Sequence, residues 1–219
     1  VHPDEPVGDA KTRLRTTLLA ARRGRAESER LVAREAISAH LLQALSGMTC
    51  IAAYLPLPTE PLDPRTLDRL AVGARVLVPV VTGAAPLDWC EHVAAHRVSL
   101  DPSLPAGPPP SAVRQETGTR RGALGIEEPT GPRLGPAAIA AADAVLVPAL
   151  AVDRRGHRLG RGGGHYDRTL ALLSELRAAP LRIAVVYDDE VLGAVPFDEL
   201  DQPVTAIVSP GSGLSHLGR

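Results

Sequence analysis

Residues 144–152, Ala-Val-Leu-Val-Pro-Ala-Leu-Ala-Val, form a near-continuous apolar run. A strand of this character must be covered on both faces, as a central strand of a parallel sheet is. Helix-like and strand-like segments alternate around it, so the expected fold is α/β, a single domain with a central, mostly parallel sheet flanked by helices. Asp9 is placed to cap a first helix through Leu14, Leu18 and Ala21, with Gly24 at its end. Ser28 is placed to cap a second, whose stripe is Ala33, Ile37, Leu41 and Leu45. Further strands are expected at 50–55, 76–81, 87–90, 182–187 and 204–208, and helices at 65–72, from Pro136, and at 166–178. The domain is expected to span 9–210, with flexible termini at 1–8 and 211–219. Residues 101–110 hold five prolines and read as a stiff, exposed connection.

The bulk numbers exclude several classes. A net charge of −1 calls for neither nucleic acid nor an anionic membrane. One Phe, one Trp and three Tyr leave little for a base-stacking surface. Cys50 and Cys90 are isolated, so neither a disulfide framework nor a zinc site is expected. No run approaches the roughly 20 apolar residues of a membrane span, and the polar start carries no secretory h-region. A cytoplasmic monomer is the expectation.

The chemistry concentrates after the apolar run, in Arg158-Leu159-Gly160-Arg161-Gly162-Gly163-Gly164-His165-Tyr166-Asp167. Glycines let backbone N–H groups converge on an anion, and a helix beginning at the same point adds partial positive charge. Arg158 and Arg161 carry permanent cations with a fork suited to phosphate oxygens. Asp167 stands where a carboxylate can hold Mg²⁺ beside those phosphates. The plainer alternatives are a flexible connection for the glycines and a helix-dipole interaction for the aspartate. The loop is neither a Walker loop nor a dinucleotide fingerprint.

Together with Val147-Pro148-Ala149-Leu150-Ala151-Val152-Asp153 and Gly156, this segment resembles the signature of the 5-formyltetrahydrofolate cyclo-ligases, also called methenyltetrahydrofolate synthetases. Lys11-Thr12-Arg13-Leu14-Arg15 is similar to that family's N-terminal Lys-x-x-x-Arg element. Residues 55–60 are similar to its substrate-contact segment, and Leu124-Gly125-Ile126-Glu127-Glu128-Pro129 to its Gly-Ile-x-Glu-Pro element. The resemblance runs in order from Lys11 to Ser209.

The resemblance implies conversion of 5-formyltetrahydrofolate and ATP to 5,10-methenyltetrahydrofolate, ADP and phosphate, with Mg²⁺. The formyl oxygen is phosphorylated, N10 attacks the activated carbon, and phosphate leaves. Lys11, Arg158 and Arg161 are implied as catalytic residues. Lys11, Arg15, Arg158, Leu159, Gly160, Arg161, Gly162, Gly163, Gly164, His165 and Tyr166 are implied for ATP. Leu55, Glu60, Arg161, Gly162, Gly163, Gly164 and His165 are implied for the folate, and Asp167 for the metal. Trp89 reads either as pocket lining or as core. Two positions depart from the family: His165 stands where Tyr is usual, and Thr205 where an Asp associated with Mg²⁺ is common. These departures leave a non-catalytic folate- or nucleotide-binding relative as the competing reading; a sugar-phosphate enzyme on a similar sheet would need no ATP.

Overall fold

The computed structural model describes residues 5–94, 119–121, 127–129, 131–174, 176 and 178–218. The proline-rich segment 101–110 and Leu124, Gly125 and Ile126 lie outside them.

Two helices open the chain, α1 (Val7–Gly24) and α2 (Glu27–Ala44). Both start ahead of the expected caps. Pro6 and Ala26 occupy the N-cap positions, so Asp9 sits inside the first turn of α1, where its charge meets the helix dipole instead of capping. Next come β1 (Cys50–Ala52), α3 (Pro64–Leu70), β2 (Arg75–Val80) and β3 (Asp88–Glu91). Asp63 accepts a hydrogen bond from Arg65 N and Pro64 fills the first turn, which together start α3. A two-stranded ribbon, β4 (Thr119–Arg121) with β5 (Glu127–Pro129), precedes a 3₁₀ turn at Pro136–Ala141.

The apolar run divides into β6 (Ala144–Pro148) and β7 (Ala151–Asp153). After Pro148 the backbone leaves the main sheet, and Leu150 N donates instead to Leu159 O. Then follow β8 (Arg158–Leu159), α4 (His165–Ala171), β9 (Leu181–Val185), β10 (Val191–Leu192), β11 (Ala206–Ser209) and β12 (Gly213–His216). Helix α4 is shorter than the expected 166–178: at Leu172, Leu173 and Ser174 the bonding tightens to i→i−3 turns that end it. The segment past 210, expected as a flexible terminus, instead adds an edge strand, because β12 completes an antiparallel ladder with β11.

The main sheet has the order β12-β11-β9-β6-β1-β2-β3. Its five inner strands are parallel and only the edge strands β12 and β3 run antiparallel. Alternation explains the apolar runs. Ile51, Val76, Val78, Leu146, Ile183, Val185 and Val208 pack with Ile37 and Leu41 of α2, with Leu45 at its C-cap, and with Leu67 and Leu70 of α3. Ala52, Leu77, Val145, Val147, Ala184 and Ile207 face the other way, onto Ile139 and onto Leu170 and Leu173 at and after α4. Trp89, fully buried, belongs to this second core and not to a ligand pocket.

A small sheet, β10-β7-β8, carries α1 through Leu18, Leu150, Leu159 and Val195. Arg22 fastens the same helix. Its guanidinium is buried, donates from Nε and Nη2 to the two carboxylate oxygens of Glu190 at 2.6 and 2.7 Å, and reaches Ala149 O at 2.6 Å. This three-point attachment fixes α1 beside the end of β6.

Candidate active site

A cleft of about 1120 Å³ opens at the C-terminal ends of β1, β2 and β6, where a parallel sheet presents its loops. Four segments meet there: α1, the turn after β1, the glycine loop before α4, and the loop at 198–202. Every residue expected to bind a ligand lines it, including Leu55, Leu159 and Gly162, Gly163 and Gly164.

Lys11 and Arg15 occupy one face of α1, as their four-residue spacing requires. Lys11 Nζ lies 2.6 Å from Asp198 Oδ2 and 2.5 Å from Asp201 Oδ2. Burial pulls this ammonium down, but the hydrogen bonds to Asp198 and Asp201 outweigh it and hold the pKa above the usual lysine value. Arg15 Nε donates to Gly160 O at 3.0 Å, which ties α1 to the glycine loop.

Two glycines in this region have different reasons to be glycine. Gly156 has φ +88°, and a Cβ there would stand 2.3 Å from Val204 O, so the hairpin turn demands it. At Gly160, which lines the cleft, a Cβ would meet no atom of the described residues within 4 Å. Nothing among the described residues requires glycine at 160, and the bare backbone leaves open space there.

Arg158 is buried on β8 and donates from Nη1 and Nη2 to Asp167 Oδ1, both at 2.8 Å. Burial pulls the guanidinium down against the attraction of Asp167 and Asp201, though arginine stays charged. Asp167 Oδ1 also accepts from Gln202 N at 3.0 Å, which binds α4 to the 198–202 loop. Asp167 Oδ2 has no hydrogen-bond partner among the described residues. Arg161 Nε lies 3.3 Å from Glu60 Oε1. The other oxygen of Glu60 accepts from Leu57 N at 2.9 Å, closing the turn on itself.

His165 begins α4, with Nδ1 3.1 Å from Arg168 Nη2. A guanidinium can only donate, so Nδ1 accepts and the ring is neutral. Burial and then the Arg168 charge both push its pKa below the usual histidine value. Arg168 Nη2 also reaches Gly163 O at 2.9 Å. The Tyr166 hydroxyl is buried without a partner among the described residues, and burial with the Glu60 charge drives its pKa far up.

Thr205 does not reach the cleft. Its hydroxyl accepts from Arg182 N at 2.9 Å within the strand ladder, so this departure from the family pattern lies outside the cleft lining. The acids that do line the cleft with Asp167 are Glu60, Asp198, Glu199 and Asp201. Sequence reasoning missed Asp198, Asp201 and Arg168. The acid-rich stretch Asp198-Glu199-Leu200-Asp201 was the available signal, although it looks like any solvated loop.

A family model described as the 5-formyltetrahydrofolate cyclo-ligase family matches residues 7–210. The chain belongs to that family. A 5-formyltetrahydrofolate cyclo-ligase of Mycolicibacterium smegmatis is 39% identical over 212 residues, covering 94% of this chain and 96% of that protein. The cyclo-ligase of Escherichia coli K12 is 38% identical over 68 residues, 31% of this chain and 36% of its own. Among solved structures, the 5,10-methenyltetrahydrofolate synthetase of Aquifex aeolicus superposes with a TM-score of 0.65 at 27% identity, covering 95% of this chain and 94% of that one. The synthetase of Mycoplasma pneumoniae, at 20% identity and a TM-score of 0.65, shares the fold over 91% of this chain and 98% of its own. The chain is thus an enzyme of the cyclo-ligase family. Among the described residues no helix is long and apolar enough to cross a membrane.

Proposed function

We propose that the cleft binds ATP with Mg²⁺ beside 5-formyltetrahydrofolate, and that the γ-phosphoryl group passes to the formyl oxygen. N10 of the folate then attacks the activated carbon, the C–O bond breaks with loss of phosphate, and 5,10-methenyltetrahydrofolate and ADP remain. The observation that carries this reading is the glycine loop itself: Gly160, beside which an added Cβ would meet no atom of the described residues within 4 Å, lines the same cleft as Lys11, Arg15, Arg158 and Arg161. Such a set of groups suits phosphate oxygens. A cleft of about 1120 Å³ is also larger than one drug-sized ligand needs, which suits two substrates.

The charges bear on the metal. Among the described residues, Lys11, Arg15, Arg158, Arg161 and Arg168 line the cleft together with Glu60, Asp167, Asp198, Glu199 and Asp201, five cations against five carboxylates. A polyanionic nucleotide entering so balanced a site needs compensating charge. Among the described residues no three His, Cys, Asp or Glu side chains cluster as a metal cage. This suits Mg²⁺, which takes one or two carboxylates and leans on phosphates and water. Asp167 and Asp201 are the carboxylates that would hold it. Bound there, Mg²⁺ would neutralise phosphate charge and fix the phosphates' orientation.

The chain's own part is positioning and electrostatics. Lys11, Arg158 and Arg161 stabilise the charge on the transferring group, and Arg15 holds the loop through Gly160 O. Glu60, with one oxygen fixed by Leu57 N, offers the other to the N–H groups of the folate ring. Tyr54, Leu55, Leu57, Val81 and Leu87 form an apolar wall that excludes water.

The test is the near-ultraviolet absorbance rise of the methenyl product on mixing protein, Mg²⁺, ATP and 5-formyltetrahydrofolate. An ATP-dependent rise, weakened in Asp167→Asn, is expected. Binding of either substrate without any rise would favour the non-catalytic relative.

A further inference from the structure

The turn carrying Glu60 shows its side chain to the cleft, and its backbone is held from behind. Arg34, from α2, donates from Nε to Glu60 O at 3.1 Å and from Nη2 to Pro58 O. Tyr187, fully buried after β9, donates its hydroxyl to Thr59 O at 3.2 Å. Three consecutive carbonyls, of residues 58, 59 and 60, are thus each taken by a side chain from a distant element. Neither Arg34 nor Tyr187 lines the cleft.

An irregular turn of this kind has no ladder to fix its orientation, so its carbonyls need partners. Here the partners come from outside the cleft lining. Within the turn, Glu60 N donates to Leu57 O and Glu60 Oε2 accepts from Leu57 N, both at 2.9 Å. The side-chain bond immobilises one carboxylate oxygen and leaves Oε1 toward Arg161 and the cleft. The Arg34 side chain is only 13% exposed, and among the described residues its one ion pair is a loose contact of 3.9 Å to Glu27, which is 61% exposed. The two carbonyls are therefore its principal partners.

We propose that Arg34 is a positioning residue for folate recognition, acting through the Glu60 turn, with Tyr187 as its second anchor. This rests on the reading of Glu60 as the folate-side carboxylate. A guanidinium spans the carbonyls of residues 58 and 60 at once because its donors form a planar fork; a lysine ammonium, a point charge on a flexible stem, reaches them less well.

The experiment compares wild type, Arg34→Met, Arg34→Lys, Tyr187→Phe and Glu60→Gln by steady-state kinetics in the full chain, with thermal melting alongside. Losing a charge-assisted pair of bonds, Arg34→Met should raise KM for 5-formyltetrahydrofolate about tenfold or more, with KM for ATP nearly unchanged. Arg34→Lys should recover part of that loss, and Tyr187→Phe should show a smaller rise of the same kind. In the Glu60→Gln background, Arg34→Met should add little, because the effect passes through that carboxylate. A lowered melting point with unaltered KM in all Arg34 and Tyr187 variants would reduce these residues to structural struts and overturn the proposal. A wild type that turns over no 5-formyltetrahydrofolate would instead overturn the functional reading beneath it.

Discussion

Replacing Gly156 and Gly160 by alanine, one at a time, should separate the stability of this fold from the use of its glycine loop. Gly156 sits at φ +88°, and an added Cβ would stand 2.3 Å from Val204 O, a backbone atom that cannot swing aside. The left-handed conformation costs an alanine about 1–2 kcal/mol, and relieving the overlap costs a similar amount, so about 3 kcal/mol is expected in all. For a chain of this size that corresponds to a fall in Tm of about 6–12 °C. At Gly160 no atom of the described residues lies within 4 Å of an added Cβ and φ is not positive, so Gly160→Ala should leave Tm unchanged or slightly raised. Its methyl group would stand where phosphate oxygens are proposed to meet the backbone, so KM for ATP should rise at least about tenfold. Differential scanning fluorimetry and initial rates at varied ATP read both effects. Equal Tm losses in the two variants, or an unchanged KM for ATP in Gly160→Ala, would refute the reasoning.

Two further outcomes follow from the geometry. Arg22→Met should lower stability by about 3–5 kcal/mol, because it leaves the buried Glu190 carboxylate without its cation, and a denaturant titration measures the loss. Burial and the Arg168 charge hold the His165 pKa below its usual 6.5, so the folded state resists protonation there; stability from this ring is complete above pH 6.5 and is lost as pH falls through the lowered pKa. Arg168→Gln should therefore raise the His165 pKa in a proton NMR titration, and an unmoved midpoint would count against the Arg168 contact.

How much of this was readable beforehand varies with the physics. The α2 stripe was legible because Ile37 and Leu41 repeat at helical spacing, and the same spacing put Lys11 and Arg15 on one face. The sheet's parallel core was legible because residues 144–147 are apolar in both registers of the pleat, as strands covered on both faces must be. The division of that run into β6 and β7 was not, since the pattern of apolar residues does not record where the backbone exchanges one partner strand for another. The helix starts were also misplaced: Asp9 and Ser28 are good caps locally, but Pro6 and Ala26 hold the N-cap positions and neither helix uses a side-chain cap. At the site, the glycine loop, its arginines and Glu60 were visible as chemistry. Asp198 and Asp201 were invisible, because an acidic loop has meaning only once Lys11 is found 2.6 and 2.5 Å away. The placement of Thr205 was not legible, because sequence order could not show that its hydroxyl accepts from Arg182 N away from the cleft.

The most direct test of the proposed chemistry follows the formyl oxygen. With 5-formyltetrahydrofolate carrying a heavy oxygen isotope in the formyl group, plus ATP and Mg²⁺, one turnover should place the label in the inorganic phosphate released, as mass spectrometry would show. Unlabelled phosphate accompanying methenyl product would contradict phosphorylation of the formyl oxygen in this cleft.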